Sequence, residues 1–205
     1  MWAHLLRCAA GLPVAFHDDL FLLLNALSER LPVDTPLPES LAPGLEASAR
    51  GTYLTAGTHT EFVWVPPVAH WLGAGTTVRR IVPGTGFFIS KWPLMNSSGH
   101  PVTGTWEQAC QWSGEFGERE GIPVSLPAAD EWEMAARGPD GRRCPWGNGF
   151  EQGGPQLLSP WGMGHSTGVI GQWTQDGWIC GLAEDPRCAS RHAPATAAAV
   201  RLKIG

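Results

Sequence analysis

The sequence has a single tyrosine, two lysines and only 16% charged residues, against the roughly 25% of an ordinary soluble domain. Its formal net charge is −5 and no run of Lys or Arg stands out, so it lacks the basic footprint a nucleic-acid binder needs. No stretch reaches the roughly 18 consecutive apolar residues of a membrane span. No two cysteines are spaced CxxC, which excludes zinc ribbons and thioredoxin-like redox motifs. The five cysteines (Cys8, Cys110, Cys144, Cys180, Cys188) are an odd number in a chain too long to need staples, and they read as reduced thiols. Arg7 and early Pro/Gly breaks make a poor secretion signal, so localisation is open, with the cytoplasm as default.

What is present is enough for one sizeable domain: 205 residues, 43% of them hydrophobic. With 26 glycines, 18 prolines and 11 tryptophans, the expectation is a loop-rich fold pinned by aromatics. Residues 16–31 have the pattern of an amphipathic helix, capped by Asp18 or Asp19, striped by Leu20 to Leu24 and Leu27, and stopped by Pro32. Residues 31–51 read as a Pro/Ser/Ala-rich strap. Short strands are expected at 61–65 and 86–92. Thr105-Trp106-Glu107-Gln108 has the form of a capping box, with Trp106, Ala109, Cys110, Ser113 and Phe116 on one helical face. A second helix is expected from Pro127, as its first position, to a stop at Gly138. The remaining C-terminal residues carry no helical pattern. The implied division is an N-terminal helix and strap over 1–60 and a domain over 61–205.

Leu126-Pro127-Ala128-Ala129-Asp130-Glu131-Trp132-Glu133-Met134-Ala135-Ala136-Arg137-Gly138, followed by Pro145-Trp146-Gly147-Asn148, resembles the formylglycine-generating enzyme (sulfatase-modifying factor) family. Phe62-Val63-Trp64-Val65-Pro66, Phe87-Phe88-Ile89-Ser90-Lys91, Trp161-Gly162-Met163 and Gln172-Trp173-Thr174-Gln175-Asp176 fall in order around it, and Arg187-Cys188-Ala189-Ser190-Arg191 and Val200-Arg201-Leu202 resemble the family's terminal strands. The resemblance implies an α+β fold of the C-type lectin type, with short strands, two core helices and much irregular structure. On residue chemistry alone Trp132, Trp146 and Trp173 read as core aromatics, and Glu131, Glu133 and Arg137 as structural ion pairs and hydrogen bonds.

The family's enzymes hold Cu(I) between two cysteine thiolates, which soft Cu(I) favours. Cys180 matches the first; at the place of the second stands Asp185, and Cys188 matches a different family cysteine. Many members also bind calcium through an Asn and a Glu, where this chain has Val169 and Gln172; a valine offers Ca²⁺ no side-chain oxygen. The expectation is therefore no catalytic residue and no metal or other cofactor, with a Cu(I) oxidase using Cys180 and Cys188 as the alternative and Ca²⁺ less favoured. His59, His70 and His100 read as surface or hydrogen-bonded residues.

Between residues 160 and 200, family-like positions alternate with unusual ones. That interleaving resembles the variable proteins of diversity-generating retroelements, which display a diversified patch on this same fold. It implies a ligand surface of Trp161, Met163, His165, Ser166, Thr167, Val169, Trp178, Ile179, Leu182, Glu184, Asp185, His192, Ala193, Ala195 and Thr196. The implied partner is a macromolecule, a protein first. A third possibility is an accessory module docking through the N-terminal helix. Oligomeric state stays open.

Overall fold

The computed structural model describes residues 44–48, 52–73, 78–147, 158–164, 171–176, 196–198 and 200–202. The order is β1 (Leu45–Ala47), β2 (Thr52–Thr55), β3 (Glu61–Val65), β4 (His70–Leu72), β5 (Arg79–Ile81), β6 (Phe87–Ser90), α1 (Trp106–Glu120), β7 (Val124–Ser125), α2 (Ala129–Arg137), β8 (Gly171–Trp173), β9 (Thr196–Ala198) and β10 (Arg201–Leu202). The central sheet is antiparallel with strand order β1-β2-β3-β6-β10-β7. Two small ladders accompany it: antiparallel β4–β5 and parallel β8–β9.

Alternation along β3 and β6 explains how the two helices are placed. Phe62 and Phe88 point to one face, where they join Tyr53, Phe116 of α1 and Ile122. Val63, Val65, Phe87 and Ile89 point to the other and meet Met134, Ala135 and Ala136 of α2. All four residues of β6 are buried, so it is sandwiched between the helices. The sheet curls until its edges meet: a Cβ placed on Gly44, just before β1, would lie 2.4 Å from Cγ2 of Ile122, just before β7.

The expected capping box is present, with the Thr105 hydroxyl accepting from Gln108 N–H and the Gln108 side chain accepting from Thr105 N–H. At its far end α1 is tied to the β2–β3 turn by Glu120, whose carboxylate accepts from Gly57 N–H at 3.0 Å and Thr58 N–H at 3.2 Å. Burial alone would push that carboxyl's pKa up, but hydrogen bonds from Thr58, Thr55 and Gly57 together outweigh it and hold the group below its ordinary value.

Three expectations need correction. The sheet begins upstream of residue 61, with β1 inside the expected strap and β2 just after it, strands of three and four residues that are too short to show alternation in sequence. Pro127 precedes the second helix rather than opening it. Ala128 is the N-cap, and the Glu131 carboxylate accepts its N–H at 2.9 Å. Cys144 is disulfide-bonded, so the thiols are not all reduced, whereas Cys110 is free. The amphipathic pattern at 16–31 also lies outside the described residues.

His70 is fully buried on β4, its Nδ1 bonded to the Val68 carbonyl at 2.8 Å and its ring 5.9 Å from that of Trp161. Burial, opposed by the Val68 hydrogen bond and the Asp140 charge, lowers its pKa from 6.5 to about 4. The unfolded chain then binds a proton below pH 6.5 that the folded chain refuses until about pH 4. Stability from this group is complete above pH 6.5 and is lost as pH falls toward 4, by up to about 3 kcal/mol. Urea unfolding at pH 7 and pH 4.5 should show that loss in the native chain and a smaller one in His70→Phe.

Candidate ligand-display site

The site begins as a frame that four tryptophan N–H groups hold in place, three through backbone carbonyls and one through the Gln172 side chain. Trp106 Nε1 donates to the Thr174 carbonyl at 2.8 Å, and Trp173 Nε1 to the Gly104 carbonyl at 2.9 Å, so α1 and β8 are bonded reciprocally. Trp132 Nε1 on α2 donates to Oε1 of Gln172 at 3.0 Å, and Trp161 Nε1 to the Met134 carbonyl at 3.0 Å. A half-buried indole suits this role, since its ring packs on the core while its single donor fixes a loop. Trp132 and Trp161 lie against the α2 side of the core, and Trp173 packs with Ala109 and Leu126.

The chain after β8 is held as firmly. Gln175 N–H donates to Pro127 O at 2.8 Å, its side-chain amide to Leu126 O at 2.6 Å, and Ala129 N–H to the Asp176 carboxylate at 2.7 Å. Residues 177–195 therefore leave from a fixed point and return at β9, which pairs Gly171 with Thr196, Gln172 with Ala197 and Trp173 with Ala198. Upstream, Gly164 N–H donates to Lys91 O at 2.7 Å. Gly164 must be a glycine, because a Cβ there would sit 2.0 Å from the Trp92 ring. Gly164 and Gly171, which flank residues 165–170, therefore both sit on this frame. After β9, Val200 and Ser90 exchange two hydrogen bonds, Arg201 pairs with Glu131 at 2.7 Å, and β10 closes the central sheet.

Of the candidate ligand residues, only Trp161, Met163 and Thr196 fall within the described part. Met163 is fully buried in the α2-side core, with its N–H on the Ser159 hydroxyl, so it supports the surface rather than forming part of it. Trp161 is half-buried and serves as a frame residue. Thr196 opens β9. His165, Ser166, Thr167, Val169, Trp178, Ile179, Leu182, Glu184, Asp185, His192, Ala193 and Ala195, with the alternative ligands Cys180 and Cys188, lie outside the described residues. Gln172, at the calcium-type position, accepts the Trp132 indole N–H. Among the described residues no three His, Cys, Asp or Glu side chains converge as a metal site, and no helix is long and apolar enough to cross a membrane.

Two features were legible in the sequence only in part or not at all. A buried ionic cluster under α2 links Glu133, Arg137, Asp140 and Arg142; the helix motif held its first pair, but not the loop that wraps it. A groove of about 290 Å³ runs between α1 (Trp106, Cys110, Ser113, Gly114) and residues 124–126.

A curled antiparallel sheet packed between two helices makes this an α+β domain. Residues 81–178 match the family described as Sulfatase-modifying factor enzyme 1-like domain. The solved structure of PvdO from Pseudomonas aeruginosa is similar over 74% of this chain and 97% of that one, at 11% identity and a TM-score of 0.53, a likeness of fold. No curated protein sequence matches the chain.

Proposed function

We propose that this chain is a non-catalytic ligand-binding protein of the C-type lectin fold that displays its binding surface on C-terminal loops, as the variable protein of a diversity-generating retroelement. The observation that carries this reading is that the described residues flanking 165–170 and 177–195 are held by the tryptophan hydrogen bonds and the β8–β9 ladder. A loop held at both ends tolerates sequence change, because its register is set outside it. The ligand is a protein: Trp178, Ile179 and Leu182 supply apolar anchors, and His165, Glu184, Asp185 and His192 a polar rim.

The test is replacement. A library varying His165, Ser166, Thr167, Val169, Ile179, Leu182, Glu184, Asp185 and His192 together should keep thermal stability within about 1 kcal/mol in most members, as surface changes do. A library that unfolds would mean these residues are scaffold, and the reading fails. Cu(I) titration of the purified chain should show no stoichiometric binding. Binding that Cys180→Ala abolishes would establish the oxidase reading instead.

A further inference from the structure

We propose that the groove between α1 and residues 124–126 is the seat of the chain's own N-terminal segment, with Leu20, Leu23, Leu24 and Leu27 in contact with its floor. The inference is independent of the display reading. Trp106, Cys110, Ser113 and Gly114 stand at i, i+4, i+7 and i+8 on α1, a single stripe about 12 Å long, and face Val124 and Leu126 across the groove. On a helix, Leu20 to Leu27 would make a stripe about 10 Å long.

Two observations name the occupant. The described residues begin at Gly44, packed on Ile122, so the described fold starts against a residue two positions from Val124 of the groove wall. Residues 32–43 span up to about 40 Å when extended, so reach does not limit docking. The second observation is Gly114 itself. A glycine inside a helix costs about 1 kcal/mol relative to alanine. Yet Gly114 is exposed, and a Cβ there meets nothing within 4 Å among the described residues. Close approach of another backbone is what such a position allows.

Cys110 is the reporter: a free, half-buried thiol on the groove wall. Its pKa is raised by burial and then by the Glu107 charge, which slows alkylation equally in every variant that keeps both. The full-length chain, unreduced, is treated with iodoacetamide and modification of Cys110 is followed by mass spectrometry. Cys110 should react about tenfold more slowly in the native chain than in Leu23→Asp/Leu27→Asp, the ratio that about 1.4 kcal/mol of docking produces. Gly114→Leu has room in the described fold and should release the same protection with an unchanged circular-dichroism spectrum. That variant keeps the test decisive if the double variant misfolds. Equal rates in the native chain and Gly114→Leu would overturn the proposal. So would protection that fades on dilution, since the occupant would then be a second copy.

Discussion

Arg137→Ala should cost about 3–5 kcal/mol, the range for breaking a buried ion pair by removing one partner. Arg137 is only 4% exposed. Its guanidinium donates to the Glu133 carboxylate, the Gly73 carbonyl at 2.9 Å, the Gly141 carbonyl at 3.2 Å and the Arg142 carbonyl. Glu133 in turn accepts the Gly73 N–H at 2.7 Å. One side chain therefore ties α2 to the end of β4 and to the loop that follows α2. Truncating it leaves a buried carboxylate and three carbonyls without that donor. For a chain of this size the loss corresponds to a fall of about 10 °C in Tm. Urea unfolding of Arg137→Ala and of Glu133→Leu/Arg137→Met checks the cause. The double variant should recover much of the loss, because an apolar pair leaves no buried charge. A loss below about 1 kcal/mol in the single variant would mean that water reaches the pair.

Trp173→Ala should cost about 3 kcal/mol, at the lower end for a truncated aromatic because the ring is only half-buried. Its distinguishing effect is local. Trp173 pairs with Ala198 in the β8–β9 ladder, bonds the Gly104 carbonyl and packs on Leu126, so both ends of residues 177–195 depend on it. Hydrogen exchange at Gln172, Trp173 and Ala198 should accelerate well beyond that in β3 and β6. Trp173→Phe keeps an aromatic ring but loses the N–H and part of the indole's packing, an expected cost of about 1–2 kcal/mol. Uniform acceleration across the sheet would show that Trp173 is an ordinary core residue rather than part of a loop frame.

Both helices were legible in the sequence because each carries a local signal. Thr105 and Gln108 cap one, and Gly138 ends the other at a positive φ of 76°. The ionic role of Glu133 and Arg137 follows from their i, i+4 spacing. β3 and β6 were legible as apolar runs, and β10 through the resemblance of Val200-Arg201-Leu202 to a terminal strand, whereas β1 and β7 are two or three residues long and exist only through their partners. Trp132 and Trp173, read as core aromatics, do pack against the core, but they are half-buried, because each indole N–H must reach an oxygen at the edge of the core. Met163 reads as a loop residue beside two glycines, yet the turn bonded to Ser159 and Lys91 folds it inward. The α1 groove left no sequence trace, since it joins a helix face to a strand that pairs only through β10.

The measurement that bears most directly on the central claim is the sequence of about two kilobases of genomic DNA downstream of the gene. The account predicts a reverse-transcriptase gene and a near-copy of the codons for residues 160–200, mismatched only at template adenines. An intact locus with neither would contradict it, and the tryptophan frame would then hold loops that are not diversified.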